Sequence, residues 1–133
     1  MAFIVINGLR SIEIGTPGES RNRFIDLIIN GNKRATAGLM DEYIAEVEPI
    51  EYVGERLAVI DNELNQVATI VATRVEVCRF ADVTDEFPLA EAEGDLNADE
   101  FRSGHFIYWS DLGFDISDDT VLVLLYFDLV PIH

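Results

Sequence analysis

A chain of 133 residues is most simply one domain spanning residues 1–133, and an apolar fraction of 49% with mean hydropathy +0.16 excludes a disordered polymer despite a formal charge of −16. The balance of 25 acids against nine bases excludes broad, nonspecific binding to nucleic acid, because long-range repulsion opposes any polyanion. A single cysteine, Cys78, excludes an internal disulfide framework, suits a reducing compartment and reads as a small core residue.

The opening Met1-Ala2-Phe3-Ile4-Val5-Ile6 lacks a basic leader, and no apolar run approaches the roughly 20 residues of a membrane helix. The expectation is a cytoplasmic protein with no membrane partner. Charge is unevenly placed: residues 1–40 hold five bases and three acids, whereas residues 41–133 hold four bases and 22 acids. A basic face from the first third is therefore expected to suit one phosphate or a short strand. The acidity also fits a high-salt habitat or a demand for solubility.

In chain order, residues 3–6 and 12–14 read as short strands, with Asn7-Gly8 as a turn. Thr16-Pro17-Gly18-Glu19 predicts a helix start, with Thr16 as N-cap, Pro17 at the first position and Glu19 closing a capping box. Phe24, Leu27 and Ile28 recur at helical spacing, Ile25 and Ile29 widen the stripe, and Asn30-Gly31 is the stop. Residues 39–46 predict a second short helix.

From Gly54 the texture turns to strands. Arg56–Ile60 leads into the polar turn 61–65, and residues 66–80 form a β-branched run too long for a flat strand. Such a run is expected to bend or bulge while wrapping a small barrel. Asn97-Ala98-Asp99-Glu100 caps a helix running through Phe101 and His105, residues 115–119 are a charged loop, and residues 121–130 are an apolar, central closing strand. The expected fold class is α+β: a small curved sheet or barrel with about two main helices packed on it.

Three pieces stand out in this order: Gly31-x-Lys33-x-x-Thr36 after its helix, Ala90-Glu91-Ala92-Glu93-Gly94-Asp95, and Phe101-Arg102-x-x-His105. With Ile14-Gly15-x-Pro17-Gly18-x-x-Arg21 introducing the helix, they resemble the ASCH family, small domains of the PUA-like β-barrel group, from about Ile12 to Val130. The resemblance implies a barrel with a cleft that the Gly-x-Lys-x-x-Thr turn faces, and ligands related to nucleosides or short RNA. Members described as amidohydrolases remove acyl groups from N4-acylated cytidines, using a lysine and a threonine of this turn and a glutamate of the Ala-Glu-x-Glu stretch. Carried over by motif, the catalytic residues are Lys33, Thr36 and Glu93, with Arg21, Arg34, Arg102 and His105 as substrate-binding candidates. No cofactor is implied on that reading. Other members cleave RNA with a divalent metal, and the Glu-x-Glu-Gly-Asp stretch resembles those at least as well. A noncatalytic RNA or ligand module is the third alternative.

Amide hydrolysis needs a nucleophile, a base and donors for the developing oxyanion. Thr36 is the nucleophile of that scheme, and Lys33, the chain's only lysine, is its base if the amine is neutral. Burial and nearby Arg34 favour the neutral form, whereas pairing with Glu93 favours the cation, which is then an electrostatic anchor. Any cation just past a helix C-terminus also meets the helix dipole, a role that needs no catalysis. His105 reads first as a packed, hydrogen-bonded histidine, and with His133 as the only other one a histidine-rich zinc site is excluded. No metal set is expected. Asp115, Asp118 and Asp119 lack calcium-loop spacing, and the aromatic group Phe106, Tyr108 and Trp109 reads as core.

Overall fold

Asn7 and Gly8 both take positive φ, 53° and 79°, which folds Val5–Ile6 (β1) back onto Leu9–Ile12 (β2) as a tight hairpin. The computed structural model describes residues 4–131, so Phe3 and His133 lie outside the described residues. The helix Glu19–Ile29 (α1) follows, then the strand Ala35–Leu39 (β3) and the short helix Met40–Ala45 (α2). Strands Arg56–Ile60 (β4) and Gln66–Arg79 (β5) are joined by the expected turn, where Asp61 accepts from the backbone N–H groups of Glu63 and Asn65. Two helices, Glu86–Glu91 (α3) and Ala98–Asp111 (α4), precede the last strand Val121–Leu129 (β6).

All six strands form one mixed sheet in the order β1-β2-β4-β5-β6-β3, with β2 and β4 parallel and the other neighbours antiparallel. The long β5 pairs with β4 over residues 66–71 and with β6 over residues 70–79, so the two ladders overlap at Ile70 and Val71. A register shift between Ala72 and Arg74 marks a bulge just past the β4 ladder, where Gly54 and Glu55 bond the backbone of Ala72. The expected barrel is not formed: among the described residues β1 and β3 are the two edges of an open sheet and do not pair with each other. That unclosed seam is where the groove described below lies.

The closing strand is central, as its apolar run implied. Leu125 and Phe127 face one core with Ile25 and Ile28 of α1, while Leu122 and Leu124 face another with Phe87, Phe101 and Trp109. Burying each such side chain contributes about 1.5–3 kcal/mol, so α1 and α4 are held on the sheet mainly by these stripes. Cys78 is half-buried against the second core, where burial and the neighbouring Glu76 and Asp82 push its thiol up.

Several local expectations are corrected. Helix α1 begins at Glu19 behind Gly18, with no side-chain cap, and the Thr16 hydroxyl instead pairs with the Tyr108 hydroxyl at 3.0 Å. The second main helix does start as read: Asn97 accepts from the Glu100 N–H at 2.9 Å, and Glu100 reaches back to the Leu96 N–H at 2.9 Å. Helix α3 had no sequence counterpart because it is one and a half turns long and contains Pro88, tolerated in a first turn. Only Trp109 of the aromatic group is core; Phe106 and Tyr108 are exposed.

Candidate functional site

Gly31 ends α1 with φ 84°, which a residue with a side chain rarely adopts, and the chain reverses there. The Gly31 N–H donates to the Ile28 carbonyl at 3.0 Å, and the Lys33 N–H to the Leu27 carbonyl at 2.9 Å. Next, the Arg34 backbone is clamped on both sides: its N–H donates to Ala90 at 2.7 Å and its carbonyl accepts from Phe127 at 2.9 Å. These bonds tie the turn to the end of α3 and to β6, and they drive the Lys33 side chain inward. Lys33 is only 1% exposed.

The Lys33 ammonium has three N–H donors and three acceptors: the carbonyls of Ala35 at 2.7 Å and Glu91 at 3.2 Å, and Glu93 Oε2 at 2.5 Å. A neutral amine has one donor fewer and would press its lone pair against oxygen. The geometry therefore suits a fixed cation. The Phe24 ring lies 5.5 Å from Nζ and adds a favourable aromatic face.

Helix α3 ends at Ala92, which holds φ 58° without being glycine, and Gly94 follows with φ 112°. Left-handed backbone at a residue with a side chain costs about 1–2 kcal/mol and is retained where its surroundings impose it. This reversal brings both Glu91 and Glu93 to one cleft. Glu91 is 2% exposed, and burial first, then the Glu93 and Asp95 carboxylates, push it up to about 8 against the pull of Lys33. Its Oε1 has no hydrogen-bond partner among the described residues and faces His105 Nε2 at 3.7 Å.

His105 is fixed in its tautomer. Its Nδ1 lies 3.1 Å from the Phe101 carbonyl, which only accepts, so the proton sits on Nδ1 and Nε2 carries the lone pair toward Glu91. The ring stacks on Phe101 at 4.0 Å between centroids, and burial holds it below the usual imidazole range despite the pull of Glu93. One ligand atom from each of Glu91, Glu93 and His105 lies within 4.8 Å of the others.

The cleft above this floor measures about 410 Å³ and is bounded by β3, the start of α1, the end of α3 and one face of α4. Thr36, Ala37 and Gly38 of the edge strand form one wall; Phe24, Tyr108 and Trp109 provide aromatic surface. Across Thr36–Gly38 it continues into an outer groove of about 300 Å³ along the open seam, lined by Ser11 and Ile12 opposite β3 and by Glu46, Glu48 and Glu51. Glu13 and Glu42 line both parts. The Thr16–Tyr108 hydroxyl pair joins the start of α1 to α4 at the cleft.

Thr36, Glu93 and His105 thus line one cleft, with Lys33 beneath it. The three arginines read as substrate-binding do not line it. Arg21 is buried, donating to the carbonyls of Ile14 and Gly15 at 3.2 Å each, so it props the Gly15 turn. Arg34 contributes its backbone, and its side chain is exposed. Arg102 donates to Val83 at 3.1 Å and to Asp99 at 2.7 Å, which fastens α4 to the segment before α3. Absent from the sequence reading as site residues were Glu91, Tyr108, Glu13 and Glu42. Glu91 had a signal, two positions from Glu93 in the same short stretch. Tyr108 had one as well, in the aromatic group able to stack on a base but read as core, whereas Glu13 and Glu42 had none, since their roles depend on elements far apart in the chain.

Comparison with known proteins agrees with this architecture. A model of the ASCH domain family matches residues 10–131. The crystal structure of an ASCH domain from Lactobacillus crispatus superposes with TM-score 0.76 at 26% identity, covering 90% of this chain and 77% of that one. A protein from Enterococcus faecalis superposes with TM-score 0.77 at 26% identity, covering 89% and 74%. No curated protein matches in sequence. Among the described residues no helix is long and apolar enough to cross a membrane.

Proposed function

This chain belongs to the ASCH domain family, and on that premise we propose that its cleft binds a cytidine-type nucleoside and hydrolyses an acyl amide on the exocyclic N4. The observation that carries the reading is the wall chemistry. Glu13, Glu42, Glu91, Glu93 and Asp95 line the cleft together with Phe24, Tyr108 and Trp109, and no lysine or arginine does. Such a cleft repels phosphate and suits a flat ligand that presents N–H donors and a π-face. A free nucleoside fits that description, as does a base at the end of a short RNA whose phosphates stay in solvent. A volume of about 410 Å³ lies in the range of small-molecule sites.

In this scheme the Thr36 hydroxyl attacks the acyl carbon, the bond from that carbon to N4 breaks, and Glu93 carries the hydroxyl proton to the departing N4. Water then hydrolyses the threonyl ester, so that the net reaction consumes one water and releases cytidine and a carboxylic acid. Lys33 acts as a positioning cation: its three protons are committed, it fixes Glu93, and its charge favours the oxyanion.

The test is release of cytidine from N4-acetylcytidine, followed by chromatography, for the native chain and for Thr36→Val and Glu93→Gln. Each substitution is expected to slow release by about 100-fold or more. Release unaffected by both overturns the scheme. Cleavage of RNA that a chelator abolishes, without amide turnover, replaces it with the ribonuclease reading. Binding of cytidine without either reaction leaves a noncatalytic module.

A further inference from the structure

We infer that Glu91, Glu93 and His105 form a binding site for one divalent transition-metal cation of the zinc or manganese type. The inference goes beyond the amide scheme and does not depend on it, since it concerns occupancy of the cleft floor and not turnover.

The first ground is the donor set. Two carboxylates and one imidazole converge with ligand atoms within 4.8 Å of one another. Ligands on one tetrahedral zinc lie about 3.4 Å apart, given bonds near 2.1 Å. Closing the difference takes a side-chain adjustment at the cleft wall, where Glu93 is only partly buried and can keep one oxygen on Lys33 while it offers the other. Mixed oxygen and nitrogen donors suit zinc or manganese better than calcium or magnesium, which favour oxygen alone.

The second ground is independent of that clustering. Glu91 is 2% exposed, and its Oε1 points at the cluster without any hydrogen-bond partner among the described residues. A buried carboxylate oxygen left unmatched is costly, and such groups are found paired or on a metal. Lys33 does not fill the role, because its contact on Glu91 is the backbone carbonyl and its carboxylate contact is Glu93 Oε2.

The third ground is orientation. His105 donates from Nδ1 to the Phe101 carbonyl and stacks on the Phe101 ring, so Nε2 is held with its lone pair toward Glu91. That is the outer-shell arrangement of metal-ligating histidines, in which the far nitrogen's hydrogen bond sets tautomer and ring direction. A bound dication would also favour the ionised form of buried Glu91, and its charge would offset the two carboxylates beyond what the Lys33 ammonium balances. Three protein ligands on a cleft wall leave the remaining coordination positions to water or to a ligand oxygen.

Isothermal titration of the full chain with zinc chloride, after removal of metal by chelator and dialysis, tests the inference; manganese binding is followed in parallel by electron paramagnetic resonance. The expected result is one ion per chain and a rise in thermal midpoint on zinc addition. Affinity is expected to fall by about 10–100-fold or more in Glu91→Gln and in His105→Gln, and to be unchanged in Asp115→Asn, an exposed loop acid. Far-UV circular dichroism identifies any variant that has lost its fold, and Glu93→Gln then supplies the same comparison. Several weak ions per chain, insensitive to all of these substitutions, would show adsorption to the acidic surface and overturn the site. Absence of binding overturns it equally. Both outcomes are read without N4-acetylcytidine, so failure of the metal site and failure of the amide scheme are separable.

Discussion

Arg10 and Lys33 are both buried bases surrounded by carboxylates, and the two surroundings differ in one respect. Around Arg10 the polar atoms close on one another. Its Nε and Nη2 grip Glu55 at 3.2 and 2.8 Å, its Nη1 donates to Pro49 at 2.5 Å, and Glu48 and Glu51 lie at 3.6 and 3.8 Å. Glu51 also accepts from the Tyr43 hydroxyl at 2.7 Å. The result is a knot that fastens the segment before β4 to β2. Lys33 is as fully bonded, yet beside it Glu91 keeps an unmatched oxygen at the wall of a cleft. A buried charge alone therefore says little about function. What separates the two regions is whether the polar atoms around the charge satisfy one another or leave a valence for something else.

Removing each cation is the strongest way to break this contrast. Lys33→Met leaves Glu93 and two carbonyls without their donor, and urea denaturation is expected to show a loss of about 3–5 kcal/mol, with amide turnover abolished. Arg10→Met is expected to cost about 3 kcal/mol by the same measurement, while turnover per folded molecule stays at the native level. Loss of turnover in folded Arg10→Met would erase the distinction between a structural knot and a working centre.

Smaller changes sharpen it. Asn97→Ala removes a side-chain cap and is expected to lower stability by about 1 kcal/mol. Thr16→Ala removes only an exposed hydroxyl pair, with an expected cost of about 0.5 kcal/mol in thermal or urea unfolding. Its larger consequence is a weaker hold on cytidine, read as a raised KM, because Thr16 and Tyr108 both line the cleft.

The smallest expected effect concerns pH. Burial, then the Glu46 carboxylate, raise Glu42 above its ordinary value of 4.5. The folded chain keeps that proton to higher pH than the unfolded chain does, so the associated stability is complete below 4.5 and is lost as pH rises through the folded value. Glu42→Gln cannot ionise. Its thermal midpoint should match the native one in acid and exceed it increasingly as pH rises above 4.5; a gap that narrows instead would show Glu42 to be stabilised as an anion.

Legibility in the sequence followed the range of the interaction. The Asn97 cap, the Gly31 stop and the Asn7-Gly8 turn depend on neighbours within a few residues, and all three were readable. Thr16 was misread because its hydroxyl is captured by Tyr108, 92 positions away, a competition invisible to a local rule. The bulge in β5 was readable from length, since 14 residues exceed what one flat partner can pair. Barrel closure was not, because it depends on whether two distant edge strands meet. The arginines were legible as arginines, but whether each faces a ligand or a backbone carbonyl is decided by which side is buried.

The sequence by itself determined the end of α1 at Gly31 and the start of α4 at Asn97, the central apolar strand, the ASCH membership and the prominence of the turn carrying Lys33. Only the tertiary structure decided that the sheet stays open along a groove, that Lys33 is buried among three oxygen acceptors, and that Glu91 is a buried acid with an unmatched oxygen. The physical reason is that periodicity and capping are local, whereas charge state and hydrogen-bond satisfaction follow from desolvation and from partners some sixty residues apart.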